Sequence, residues 1–382
     1  MKKTEPPRLL LKGTSPSRPS ELSRMNPFSM AGARDGLAHM RRGSAGLGGD
    51  LPWLAAMALT TLIECGWWAI AWSSGLAPGA YLWTYLAMAF SGLLGALLVR
   101  RIFTGKWSDA PWRSVVAATL IIGVGASLFL PLKYAIPREV PFWLDLPLAS
   151  AEKHIFGGHP ALLLDHVFGW ADVPLDRLYS LWLPVQSLVL FLVILQKPSP
   201  IKTRALIAYS VAWLALGVAA AAIFSSAGPL FHDRLLGGHS FAAVRATLQS
   251  RGAWIALAES DQMWASYASG TPGFVAGMSA VPSMHVAISL WIWLTARSMV
   301  PRLQWLAALY FVLIAIGSVQ FGWHYVSDGV AGGIGMLIVW KIAAQIEGLS
   351  SLQRAFTGPM AERVGFEPTV SVNPRRFSRP LP

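Results

Sequence analysis

The sequence predicts an all-α fold, a polytopic membrane helix bundle of about eight spans, and three observations lead there. Of its 382 residues 54% are hydrophobic and only 13% charged. A soluble domain carries about 25% charged residues, so this chain lacks the polar surface to face water on every side. Its apolar runs approach the roughly 20 residues that cross about 30 Å of hydrocarbon as helix. Lys and Arg gather in the tails and short loops, as they do to orient a chain in a bilayer. That placement argues against a nucleic-acid partner, which the net charge of +12 would otherwise suggest.

Residues 1–50 are rich in Pro, Ser, Gly and Arg, lack an apolar period, and are expected to form a disordered basic arm. No removable signal peptide is expected. Spans are predicted near 52–74, 80–99, 114–132 and 178–196, which make an N-terminal membrane region over 51–204. Further spans near 205–226, 285–300, 303–321 and 328–346 make a second region over 205–346. With the arm in the cytoplasm, the turns 100–106, 197–204 and 297–302 are short and basic, as the positive-inside rule requires. The outward loops, 133–177 and 227–284, are long and carry nearly all the acidic residues of the central region. Both termini then lie in the cytoplasm of a bacterial inner membrane, with the other face periplasmic. The tail 347–382 is expected to be cytoplasmic. Its last part, "MAERVGFEPTVSVNPRRFSRPLP", resembles a reading frame run through a transfer-RNA gene, and no function is expected of it.

Seven of the eight histidines fall on the outward side: His154, His159, His166, His232, His239, His285 and His324. Most read as polar anchors at the interface. His285 and His324 differ, because one apolar segment separates them and a helical hairpin would bring both to one membrane face. Asp328 follows His324 by four residues at the start of a predicted helix, so the two side chains are expected on one face about 5–6 Å apart. A carboxylate there accepts the proton of one ring nitrogen and leaves the other free to attack. Pro282 and Ser283 read as the opening of the helix that carries His285, where free N–H groups and the positive dipole end favour an anion. The pattern implies phosphoryl transfer through a phosphohistidine: His324 as nucleophile, Asp328 as its orienting partner, His285 as general acid, and Ser283 as a phosphate ligand.

At these residues "VPSMHVA" followed by "GWHYVSDGVAGG" resembles the second and third signature motifs of the type 2 phosphatidic acid phosphatase superfamily. The closer likeness is to its inositolphosphotransferase-type branch, which includes the inositol phosphorylceramide synthases. The resemblance covers about 205–346. It implies a six-helix-type phosphatase core toward the C-terminal half, no metal or other cofactor, a lipid phosphate or phospholipid as partner, and the same roles for His285, His324 and Asp328. The chain departs from the wider superfamily at Ser318, where an Arg is usual, and at Met284, where a Gly is usual. The branch also tends to lack that Arg. The first motif, a Lys and an Arg-Pro pair, has no clean counterpart. Arg234 in "SSAGPLFHDR" is the candidate phosphate ligand, with Lys133, Arg245 and Arg251 as alternatives.

Rival readings are specific. Two His and an Asp would also suit Zn²⁺. A transporter or lipid-moving protein without covalent chemistry would show polar residues at mid-depth, broken helices and repeats. Only Glu64 lies at depth, either in a polar contact or headgroup path or protonated between helices, and no repeat relates the two halves. Cys65, alone in an apolar run, excludes an intrachain disulfide and reads as a small hydrophobe. "GVAGG" after Asp328 reads as close helix packing.

Overall fold

The computed structural model describes residues 30–71, 79–271 and 277–357. The chain divides into two units, Met1–Ala45 and Gly46–Pro382. The first contains the helical stretch that opens at Met30, rich in the strong helix formers Ala, Leu, Met and Arg, where the sequence suggested disorder up to residue 50. Residues 1–29 of the expected arm and 358–382 of the tail lie outside the described residues, as does the end of the span predicted over 52–74.

The described residues are helical, with no strand among them. In chain order they form α1 (Met30–Ala71), α2 (Gly79–Thr104), α3 (Trp112–Glu139), α4 (Asp145–Phe156), α5 (Pro160–Phe168), α6 (Asp172–Ser180) and α7 (Trp182–Ile194). There follow α8 (Pro200–Ile223), α9 (Pro229–Leu236), α10 (Ala242–Arg251), α11 (Trp254–Ser269), α12 (Met284–Met299), α13 (Gln304–Gln320) and α14 (Val326–Thr357). Five helices are long and apolar enough to cross a membrane: the greater parts of α2 and α14, all of α3 and α8, and α13 with the turn before it. These match the spans predicted at 80–99, 114–132, 205–226, 303–321 and 328–346. A sixth span is possible in the α5–α6 segment and α7, bent by 47° at their junction, so the run predicted at 178–196 is one arm of a bent pair. The 16 residues of α12 cover about 24 Å at 1.5 Å per residue, short of a full crossing. The expected count of eight therefore becomes five or six among the described residues.

The two outward loops also differ from expectation. Residues 133–177 include the last turns of α3, then α4, α5 and the start of α6, while 227–284 include α9, α10 and α11. Each of α4, α5, α6, α9 and α10 has 8 to 12 residues, too few for an apolar period to stand out in the sequence.

The core joins α12 to α13, α14 and α8, with α2 against α3 and α7. Trp291 of α12 is fully buried, and its indole donates to the Ala205 carbonyl of α8 at 2.7 Å. Ser199 caps α8 by accepting from the Lys202 N–H, and Pro200 takes the first helical position. The Lys202 ammonium is itself buried, paired with Asp50 at 3.0 Å and set over the Trp53 ring. Large apolar side chains remain exposed along α13 (Trp305, Leu306, Leu309, Val312) and α14 (Val330, Ile334, Leu337, Ile338). Such stripes suit lipid and not water. Glu64 is buried, and its carboxylate lies against Gly125 of α3.

Close packing at the "GVAGG" run is concentrated at Gly332, where an added methyl would collide with the Ser283 backbone oxygen. At Gly333 the nearest atom is 4.0 Å away. Gly332→Ala is expected to cost about 1–3 kcal/mol through forced separation of α14 from the start of α12. Gly333→Ala is expected to be neutral or stabilising, since Gly inside a helix costs about 0.5–1 kcal/mol relative to Ala. Thermal unfolding of both variants in detergent checks the contrast.

Candidate active site

Four residues join α12 to α13, so the start of α12 and the junction of α13 with α14 lie at the same end of the bundle. His285 sits in the first turn of α12, and His324 in the turn before α14. Their ring centroids are 5.8 Å apart, so the hairpin does bring the two histidines together. The His285 ring is held between Tyr179, stacked at 4.6 Å, and Trp182 at 4.2 Å, whose indole N–H also donates to the His285 carbonyl. Both aromatics flank the bend between α6 and α7.

His324 is almost wholly buried, and its backbone N–H donates to the Ser318 carbonyl at 3.0 Å. Its Nδ1 lies 2.9 Å from the Ala280 carbonyl oxygen. A carbonyl only accepts, so Nδ1 carries a proton, and in the neutral ring Nε2 keeps its lone pair. Asp328 Oδ2 is 3.6 Å from the same nitrogen, an ion-pair separation beyond hydrogen-bond reach. The expected geometry is thus corrected in one respect: α14 starts at Val326, after His324, and the pair does not share a helical face. The cause is local, since Asp328 is fully buried and uses Oδ2 to accept from the Tyr325 N–H at 2.9 Å. That bond opens α14 downstream of the histidine.

Ser283 is fully buried and works as the N-cap of α12, accepting from the Val286 N–H at 3.4 Å, while its own N–H donates to the Asp328 carbonyl. The arginines are engaged elsewhere. Arg234 pairs with Asp261 at 2.5 Å and lies over Trp264, Arg245 pairs with the same Asp261, and Arg251 pairs with Asp165. Lys133, near the end of α3, is buried against Gly277, makes no hydrogen bond or ion pair among the described residues, and is close enough for its charge to act on His285. Of the four cations weighed from the sequence, it is the one whose charge acts on His285.

Two further buried carboxyl groups reach the loops around His324. Asp145, fully buried at the start of α4, accepts from the Ser226 hydroxyl at 3.0 Å and from the N–H groups of Ala227 and Gly228 at 2.7 and 2.9 Å. Glu152, two turns on, accepts from the Val326 N–H at the first residue of α14. A helix seven residues apart on one face with an acid at each end was the available signal, but both partners are remote in sequence. Among the described residues no group of three or more His, Cys, Asp or Glu is arranged to hold a metal ion.

These features describe an α-helical membrane protein with paired histidines at one end of its bundle. A family model for the PAP2 superfamily matches residues 147–342, and the chain belongs to that superfamily. Its members are phosphatases or phosphotransferases, which gives the general enzyme class. No curated protein and no solved structure matches the chain.

Burial pushes the Glu152 carboxyl up from 4.5 to about 7; the Asp328 charge adds to the rise, and the Val326 N–H bond opposes it. The folded protein therefore holds a proton there that the unfolded chain releases between about pH 4.5 and 7. The stability from this group is present below pH 4.5 and is lost as the pH rises through 7. Glu152→Gln is expected to remove that part of the pH dependence and to raise the melting temperature relative to wild type at pH 8. Scanning fluorimetry in detergent from pH 4.5 to 8.5 measures it.

Proposed function

We propose that the protein is an integral membrane lipid phosphatase or phosphotransferase working through a phosphohistidine at the periplasmic face. The observation that carries this reading is the His285–His324 pair at 5.8 Å with the free lone pair on His324 Nε2. In the proposed cycle Nε2 attacks phosphorus and forms a P–N bond as the P–O bond to the leaving group breaks. His285 gives its proton to the departing oxygen. Water or an alcohol then attacks the phosphohistidine, His285 takes the proton back, and the P–N bond breaks. Water makes the enzyme a phosphatase and a lipid alcohol makes it a transferase. Asp328 stabilises the charge that develops on the His324 ring.

A phosphoryl transition state spreads negative charge over its equatorial oxygens. In this reading Lys133 and the positive end of α12 meet it, and Ser283 contributes by shaping that helix end. Arg234 would serve only by leaving Asp261. Ser318 supports the inositolphosphotransferase-type branch, because its carbonyl binds the His324 N–H and its fully buried side chain leaves little space for an Arg. The short basic turns at 100–106, 197–204 and 297–302 support cytoplasmic termini and an active end facing the periplasm of a bacterial inner membrane.

Phosphate release and headgroup exchange on a panel of lipid phosphates in detergent test the reading. His324→Ala is expected to abolish turnover, His285→Ala to lower it by about 100- to 10,000-fold, and chelator to leave wild type unchanged. Turnover that survives His324→Ala would rule out this nucleophile. For the cation, Lys133→Met is expected to lower kcat by about 100-fold or more, and Arg234→Ala by only a few-fold. Steady-state kinetics on the best lipid phosphate of the panel separate the two.

A further inference from the structure

Helix α4 buries Asp145, Ala149 and Glu152, the i, i+4, i+7 stripe of an amphipathic helix. Its opposite side, including Leu146, Lys153, Ile155 and Phe156, is exposed. The polarity is inverted at the two ends of the buried stripe, where an ordinary covering helix would place apolar groups. Burying a carboxylate is costly unless donors meet it, and here the donors are backbone N–H groups of the loops around His324.

One chain of hydrogen bonds leads from α4 to the histidine, and a single bond ties α4 to the turn just after it. Asp145 holds Ser226, Ala227 and Gly228; the Ser226 carbonyl accepts from the Ala280 N–H at 2.7 Å; and the Ala280 carbonyl accepts from His324 Nδ1. On the other side Glu152 holds Val326, two residues after His324 and two before Asp328. The Leu144 N–H to the Ser225 carbonyl, at 3.2 Å, adds a third tie between α4 and the same loop.

We infer that α4 is a clamp on the active site, and that Asp145 and Glu152 are positioning residues holding the His324 ring in its tautomer and orientation from both sides. As to catalysis, the inference rests on the phosphohistidine reading; as to the ring, it does not. Neither carboxylate touches substrate. Both act through backbone that contacts the nucleophile, so their loss should change kcat and leave KM nearly unchanged.

The test has two readouts on the full-length chain in detergent. Histidine-selective ¹⁵N NMR, assigned by comparison with His324→Ala, reports the tautomer without any ligand. Kinetics on phosphatidic acid in mixed micelles report catalysis. Wild type is expected to show a single Nδ1–H tautomer at His324, and Asp145→Ala a mixture. Asp145→Ala and Glu152→Ala should each lower kcat about 100-fold with KM within about threefold, and Glu152→Gln, which keeps the accepting oxygen, should recover most of the rate lost in Glu152→Ala. An unchanged tautomer in Asp145→Ala, or a purely KM effect, overturns the clamp. If wild type does not turn over phosphatidic acid, the fault lies with the functional reading for that lipid, and the NMR arm alone decides the clamp. If Asp145→Ala fails to fold, Ser226→Ala removes one of the three donors to Asp145 and is read in the same way, with loss of the single tautomer supporting the clamp and its retention overturning it.

Discussion

The bond from His324 Nδ1 to the Ala280 carbonyl makes the strongest demand on the surrounding structure. An imidazole that is nearly out of reach of water must have its N–H met by the protein, and a backbone carbonyl does so only if its own peptide is fixed. Ala280 is fixed by Ser226, Ser226 by Asp145, and the turn holding His324 by Ser318 and by the Leu230 N–H to the Gly322 carbonyl at 2.9 Å. Gly322 ends α13 with a φ of +70°, a conformation that glycine adopts without strain. The turn between α13 and α14 is therefore irregular backbone buried in protein, which a membrane bundle tolerates only where every N–H and C=O finds a partner.

The same requirement explains what the acidic residues of the outward segments do. In sequence they fall in two long outward loops. In the structure Asp145 meets the Ala227 and Gly228 N–H groups before α9, Asp176 those of Ile255 and Ala256 at the start of α11, Asp233 that of Phe241 before α10, and Glu152 that of Val326 at the start of α14. Each carboxyl group satisfies orphan N–H groups at or near a helix start. Acidity in these segments is thus largely internal structure.

That difference also marks how far the sequence was legible. Periodic and compositional signals are local, so the five long apolar helices were readable with ends shifted by a few residues. The histidine pairing was readable because a hairpin is a local topological rule. Ser283 was readable as a helix start, since a cap and its partner lie three residues apart. The partners of Asp145 and Glu152 are more than 80 and 170 residues away, and no spacing rule reaches them. Lys133 stood only among the alternatives for a related reason: it belongs to α3, outside the 205–346 stretch that carries the resemblance. Arg234 stood nearer in sequence to the motifs, but Asp261 already takes its charge.

The balance of charge around the pair follows from these placements. Asp145, Glu152 and Asp328 bring three buried carboxyl groups to the His324 side, each bonded to backbone N–H. Lys133 is the cation whose charge acts on His285, which sits at the positive end of α12. In the proposed cycle the acidic groups thus stand behind the nucleophile, and the cation acts from the side of the acid. A phosphoryl group between them would have its leaving oxygen on the basic side, where negative charge grows as the P–O bond breaks. The ring that loses its lone pair to phosphorus would become cationic on the acidic side. Preorganised charge of this kind acts without rearrangement at the moment of reaction. In the proposed cycle this gives the clamp a second effect, because an ionised carboxylate among those that fix His324 would also lower the energy of the imidazolium-like intermediate.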